Sequence, residues 1–199
     1  MKYVVGSRVR KSLPVIQEAA VEAKKRTIEE KIPVSCKSGC NSCCSRPIVV
    51  SMVEAAVIQD YLVTINKWEE VRDRAKECEQ FDDLDRQSWF RMKIKCPVLD
   101  PKTGLCTAYE VRPLECSIHY VTSIPANCDP WAMGRFSYKK VDFNDLFLKY
   151  ASRLINIVGD SIFVAELPLY KGLLISDRLR RREIIDSESL IRVMATEKI

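Results

Sequence analysis

Between Ser35 and Pro47 the chain reads SCKSGCNSCCSRP, with four cysteines inside nine positions and the last two adjacent. Thiols this close in sequence stay close in space whatever backbone carries them, so the fold must oxidise them, bury them or give them something to hold. The chain has nine cysteines, an odd number that pairing within one molecule cannot exhaust. Its start, MKYVVGSRVRKSLPVIQEAA, lacks an apolar core of signal-peptide length, and no run of roughly 18 apolar residues follows. The expectation is a cytoplasmic protein without a membrane segment, in a reducing compartment where clustered cysteines are metal ligands more often than disulfides.

Cys36, Cys40 and Cys43 form CxxxCxxC, a spacing from which three sulfurs can converge on one point. Cys44 complicates that arrangement. Adjacent side chains diverge in helix and strand alike, so Cys43 and Cys44 are expected to serve different metals or one polynuclear centre. Cys96, Cys106, Cys116 and Cys128 follow downstream and bring the candidate ligands to four plus four. In CPVLDPKTGLC the turn chemistry of Asp100 to Gly104 predicts a hairpin-like loop that brings Cys96 to Cys106. Eight thiolates suit two zinc ions, one or two iron-sulfur clusters, or a smaller site with spare thiols. The adjacent pair favours an iron-sulfur cluster, 4Fe-4S in form, with zinc as the alternative. Cys78, alone in a charged helical stretch, reads as a small buried apolar residue.

His119 is the sole histidine, so any metal is bound mainly by sulfur, which excludes magnesium, calcium and manganese. Its expected place is beside the centre, as a hydrogen-bond donor or a packed side chain outside the ligand set. Arg112, between Cys106 and Cys116, is expected to hydrogen-bond thiolates or backbone carbonyls. One histidine builds no convincing Ser-His-Asp triad, and neither a P-loop nor a dinucleotide fingerprint is present. CxxxCxxC also serves radical S-adenosylmethionine enzymes, but only six glycines and no repeating strand-helix units argue against that barrel.

The formal net charge of +5 counts every thiol as neutral, and ligation would erase much of the excess. Arg178, Arg180, Arg181 and Arg182 are interleaved with Leu179 and followed by Glu183, the pattern of a solvated helix face. Nucleic acid is therefore not an expected partner.

Periodicity predicts a mainly α fold, a single helical domain over 1–199 with a few short strands around a cysteine-ligated metal centre. An N-terminal helix is expected at 11–32, with Ser12 as cap and Pro14 in its first turn, and a metal-binding region at 33–130. Ile48 to Val50 read as extended, and Ser51 to Glu54 as a capping box opening a helix. Trp68 to Lys93 should form two helices broken near Phe81 to Asp83. The region 131–176 should hold a core helix from Asp142 to Val158, stopped by Gly159, and two short strands around Pro168. A charged helical tail is expected at 177–199.

The elements CKSGCNSCC, SMVE after an apolar strand, CPVLDPKTGLC and AYEVRPLEC resemble the YkgJ-type cysteine-cluster family, a zinc- or iron-chelating domain, over about eighty residues. Cys128 extends the set. Relatives usually carry Arg where this chain has Ser117 after Cys116. The best-defined relatives resemble flagellin lysine N-methylases, which implies S-adenosylmethionine-dependent protein modification as one possible activity. The reading from the cysteines is a metal-binding protein holding its centre through eight thiolates. Its rival is a zinc-stapled assembly subunit, whose N-terminal helix and tail dock onto a protein partner or a second copy.

Overall fold

The structure, a computed structural model, describes residues 5–37, 39–128, 138–159, 166–181 and positions 183, 188, 190 and 194. It is mainly helical: α1 (Val5–Glu29), α2 (Met52–Thr64), α3 (Trp68–Glu79), α4 (Arg86–Arg91), α5 (Leu114–Ser117), α6 (Asn144–Val158) and α7 (Leu169–Arg180). β1 (Val49–Ser51) and β2 (Glu166–Pro168) form a small antiparallel sheet with Val50 opposite Leu167. Among the described residues no helix is long and apolar enough to cross a membrane.

α1 starts earlier and ends sooner than the expected 11–32. Val9 joins Ile16, Ala19 and Ala23 on one buried face, and the burial of that face outranks the start signals at Ser12 and Pro14. Ser12 therefore lies buried inside the helix with no hydrogen-bond partner for its hydroxyl, and Pro14 sits in the interior, where its ring removes a backbone donor. The chain turns out of the helix through Lys31, at φ 52°, before Pro33.

α2 is the central helix, buried from Met52 to Gln59 and packed by α1 and α7. Its start is the expected capping box: Glu54 N–H donates to Ser51 Oγ, and Glu54 Oε2 accepts from Ser51 N–H at 2.8 Å. α7 crosses it closely at Gly172, where a Cβ would stand 3.0 Å from Ala55 Cβ. The same helix corrects two expectations. β2 precedes it, and instead of a second strand Pro168 leads directly into α7, because Leu169, Leu173 and Ile175 bury against the core. Asp177, expected to begin the tail, is 7% exposed within α7, where its Oδ1 accepts from Gln59 Nε2 and Trp68 Nε1, each at 3.0 Å. Residues 161–165, 131–137 and most of the tail lie outside the described residues. Leu190 of that tail is buried with Met52, Val53 and Leu179.

The break between α3 and α4 falls at 80–85, where Asp85 caps α4 by accepting from Ser88 N–H. α6 ends as expected at Gly159, whose φ of 62° is the left-handed cap that glycine adopts without strain. Its other end runs antiparallel to α1: Arg26 binds Asp145 through two hydrogen bonds, Lys149 pairs with Glu22 at 2.6 Å and Arg153 with Glu18 at 2.6 Å.

Candidate metal centre

Four short segments carry the eight clustered cysteines. The first runs from Ser35, whose N–H donates to Val121 O at 2.8 Å, through Cys36 and Cys40 into a 3₁₀ turn at Ser42–Ser45 that presents Cys43 and Cys44. The second is the hairpin of Cys96 and Cys106. Asp100 Oδ1 accepts from Lys102 N–H at 2.8 Å, Leu99 bridges Cys106, and Gly104 turns the chain at φ 68°. The third is α5 with Cys116, and the fourth a 3₁₀ turn, Pro125–Cys128, packed on the Ser42–Ser45 turn.

Backbone and side chains cross-link these segments. Cys96 N–H donates to Cys44 O at 2.7 Å, Lys95 Nζ donates to Ser45 Oγ, and Asn41 Nδ2 donates to Gly104 O at 3.0 Å. Glu54, the capping carboxylate of α2, is buried and also accepts the N–H of Leu114, the first residue of α5, at 2.8 Å. Arg46 ties the first segment to the third. Its guanidinium pairs with Glu115 at 3.0 Å, with side chains 11% and 21% exposed, and donates to His119 Nδ1 at 3.0 Å. Glu115 also accepts from Val49 N–H and pairs with Arg86.

The thiols fall within one another's electrostatic reach. Cys44, held against Cys43, draws the Cys43 thiol down to about 6, helped by Arg46 and Arg112, and is itself pushed far up by that contact and by burial. Although their Cα–Cβ bonds point apart, the two thiols thus bear on each other. Cys40 and Cys43 bear electrostatically on Cys36, and Cys96 and Cys116, besides Cys43, bear on Cys44. Burial lifts Cys96 to about 12 and Cys128 to about 11, and it raises Cys106 and Cys116. Without metal these four raised thiols are protonated near neutrality, so their ligation must release protons.

Cys78 lies elsewhere, 4% exposed among Ala75, Trp89, Ile94 and Tyr170, and burial raises its thiol to about 12. His119 is buried and pushed down to about 4 by burial, Arg46 and Lys140. It is a packed, neutral ring that accepts from Arg46 through one nitrogen. Arg112 stacks over the Tyr109 ring at 4.0 Å, its Nε is buried without a partner, and its charge bears on Cys36, Cys43 and Cys106. Buried Ser117 spends its hydroxyl on Arg112 O at 3.0 Å. Arg46, Glu115 and the second role of Glu54 escaped the sequence reading. The hint for Arg46 was its place two residues after Cys44.

As these side chains stand, no three cysteine, histidine or acidic groups among the described residues close a metal shell. The donors nevertheless fit a soft metal in kind: they are thiols within one another's electrostatic reach, and the unpartnered Nε of Arg112 and the paired guanidinium of Arg46 supply positive charge against thiolates.

A family model, CxxCxxCC, "Putative zinc- or iron-chelating domain", matches residues 35–140, more than half of the chain. The chain belongs to the CxxCxxCC family. No curated protein and no solved structure matches it. The CxxCxxCC domain starts immediately before Cys36, takes in all eight clustered cysteines, and ends at Lys140, which bridges Val121. The chain thus carries a cysteine-rich zinc- or iron-chelating domain, set on the helical core that α1, α2, α6 and α7 supply.

Proposed function

We propose that this protein holds iron-sulfur, 4Fe-4S in form, with ligands drawn from Cys36, Cys40, Cys43, Cys44, Cys96, Cys106, Cys116 and Cys128. The observation that carries this reading is the position of Cys43. Its thiol and that of Cys44 act on each other, and it also bears on Cys36, Cys106, Cys116 and Cys128, which belong to all four segments. Eight thiols that bear on one another outnumber the four that one zinc takes, and their crowding around Cys43 suits a polynuclear centre. The chemistry such a centre supplies is one-electron transfer. The protein's own part is to bury the thiolates, balance them with Arg46 and Arg112, and fix Cys116 through Glu54. Anaerobically purified protein should show broad visible absorption that bleaches on reduction with dithionite. A colourless protein that contains zinc would overturn the reading.

A second reading, the metal-stapled assembly subunit, is favoured by apolar residues left on two helices. Val21 and Ile28 on α1 are each 67% exposed, and Leu148 and Ile155 on α6 are 65% and 48% exposed. Each pair is seven residues apart and so lies on one side of its helix. The partner would be another protein or a second copy. Sedimentation of the pure protein tests it: a monomer that copurifies with nothing would remove this reading.

A further inference from the structure

Arg112 stands between the hairpin that carries Cys106 and the helix that carries Cys116. Its backbone is fixed on both sides. It follows the Tyr109–Val111 3₁₀ turn, where Val111 N–H donates to Ala108 O at 3.0 Å, and its own carbonyl accepts from Ser117 Oγ at 3.0 Å. The half-buried side chain lies with its guanidinium 4.0 Å from the centre of the Tyr109 ring, so one face of the cation is covered. A guanidinium stays protonated in any protein environment, and once shielded from water it needs acceptors and a negative partner. Two other shielded arginines have such a partner: Arg46 pairs with Glu115 at 3.0 Å, and Arg72, whose Nε is likewise unpartnered, holds Glu69 at 2.6 Å. Arg112 has a buried Nε without an acceptor, and no carboxylate among the described residues pairs with it. Of the two acceptors expected for this N–H, no backbone carbonyl takes it, which leaves sulfur. Cysteines of two segments are within its reach in charge, since it bears on Cys36, Cys43 and Cys106.

We infer that Arg112 is a positioning residue of the metal centre, whose Nε–H donates to a ligand sulfur while the Tyr109 ring and the Ser117 hydroxyl fix the side chain and the backbone it extends from. A protonated thiol is a weak acceptor and a metal-bound thiolate a strong one, so ligation and this hydrogen bond favour each other. The bond holds the sulfur in place and strengthens metal retention, and in an iron-sulfur centre it also raises the reduction potential by stabilising the more negative state. The inference rests on the metal-chelating reading above but not on the identity of the metal.

The probe is cadmium-113, a diamagnetic ion that binds thiolates. In the unaltered protein loaded with it, magnetic resonance should show a scalar coupling between the metal and the Arg112 Nε proton, transmitted through the hydrogen bond to sulfur. In competition with a chelator, Arg112→Gln should hold the metal about 10–100-fold less tightly than the parent, with Arg112→Lys between the two. Urea unfolding of the metal-free proteins separates this role from a merely structural one. There Arg112→Gln should be as stable as the parent, because the hydrogen bond it removes forms only with metal-bound sulfur. An arginine that only packs would weaken the metal-free and the loaded protein alike and show no coupling, which would overturn the inference. Unchanged retention in Arg112→Gln together with no coupling would overturn it as well. Where the variant fails to fold, the coupling in the unaltered protein decides alone. A chain that takes up neither cadmium, zinc nor iron would overturn the metal-chelating reading and this inference with it, whereas tight loading without the coupling overturns the inference only.

Discussion

Glu54 accepts the backbone N–H of Leu114 across 2.8 Å while closing the capping box of Ser51, so one buried carboxylate starts both the central helix and the helix that presents Cys116. The metal segments are fastened to the helical core at this point. Glu54→Ala leaves two buried N–H groups without an acceptor and should cost about 2–4 kcal/mol in urea unfolding. Glu54→Gln, which keeps one acceptor oxygen, should cost less. An alanine variant as stable as the parent would show that the capping contact holds nothing.

Arg46 spans the first and third cysteine segments through Glu115 and His119. With both partners of the ion pair largely shielded, Arg46→Ala should destabilise the metal-loaded protein by about 1–3 kcal/mol and hasten metal loss to a chelator. Arg46→Lys keeps the charge but not the two-pronged contact, and should fall between. Stopped-flow chelation of the three proteins ranks them.

Gly104 turns the hairpin at φ 68°, and a Cβ there would come within 2.8 Å of Asn41 Nδ2, which donates to the Gly104 carbonyl. Gly104→Ala should therefore cost about 1 kcal/mol or more and loosen both Cys40 and Cys106. Faster alkylation of those two cysteines than of Cys78 checks it.

Along the seam of α1 and α6, Glu18, Glu22 and Arg26 meet Arg153, Lys149 and Asp145 in antiparallel order. Hydrogen bonds from Lys149 and Tyr150 lower the Glu22 carboxyl below its usual value. A lowered carboxylate adds stability above its unfolded value and loses it as pH falls through the folded one, so melting should weaken in acid below about pH 4.5. Arg26→Asp should weaken the fold slightly, and adding Asp145→Arg should restore it, with coupling that fades in high salt.

Much of this was legible in the sequence. The Ser51 to Glu54 capping box, the hairpin between Cys96 and Cys106 and the α6 stop at Gly159 depend on local chemistry, which short segments carry by themselves. What sequence reading misplaced depends on distant partners. Ser12 and Pro14 look like a helix start until Val9 finds a buried face. Pro168 looks like a strand break until Leu173 packs under α2. The cysteines were visible one by one, but what brings them close was not, because chain order hides that the Pro125–Cys128 turn packs on the Ser42–Ser45 turn and that Cys96 N–H donates to Cys44 O.

The central claim is that these thiols hold iron and inorganic sulfide. The direct measurement is iron, zinc and acid-labile sulfide per chain in protein purified without oxygen. The account predicts iron and sulfide in near-equal amounts with little zinc. Zinc without sulfide would contradict it.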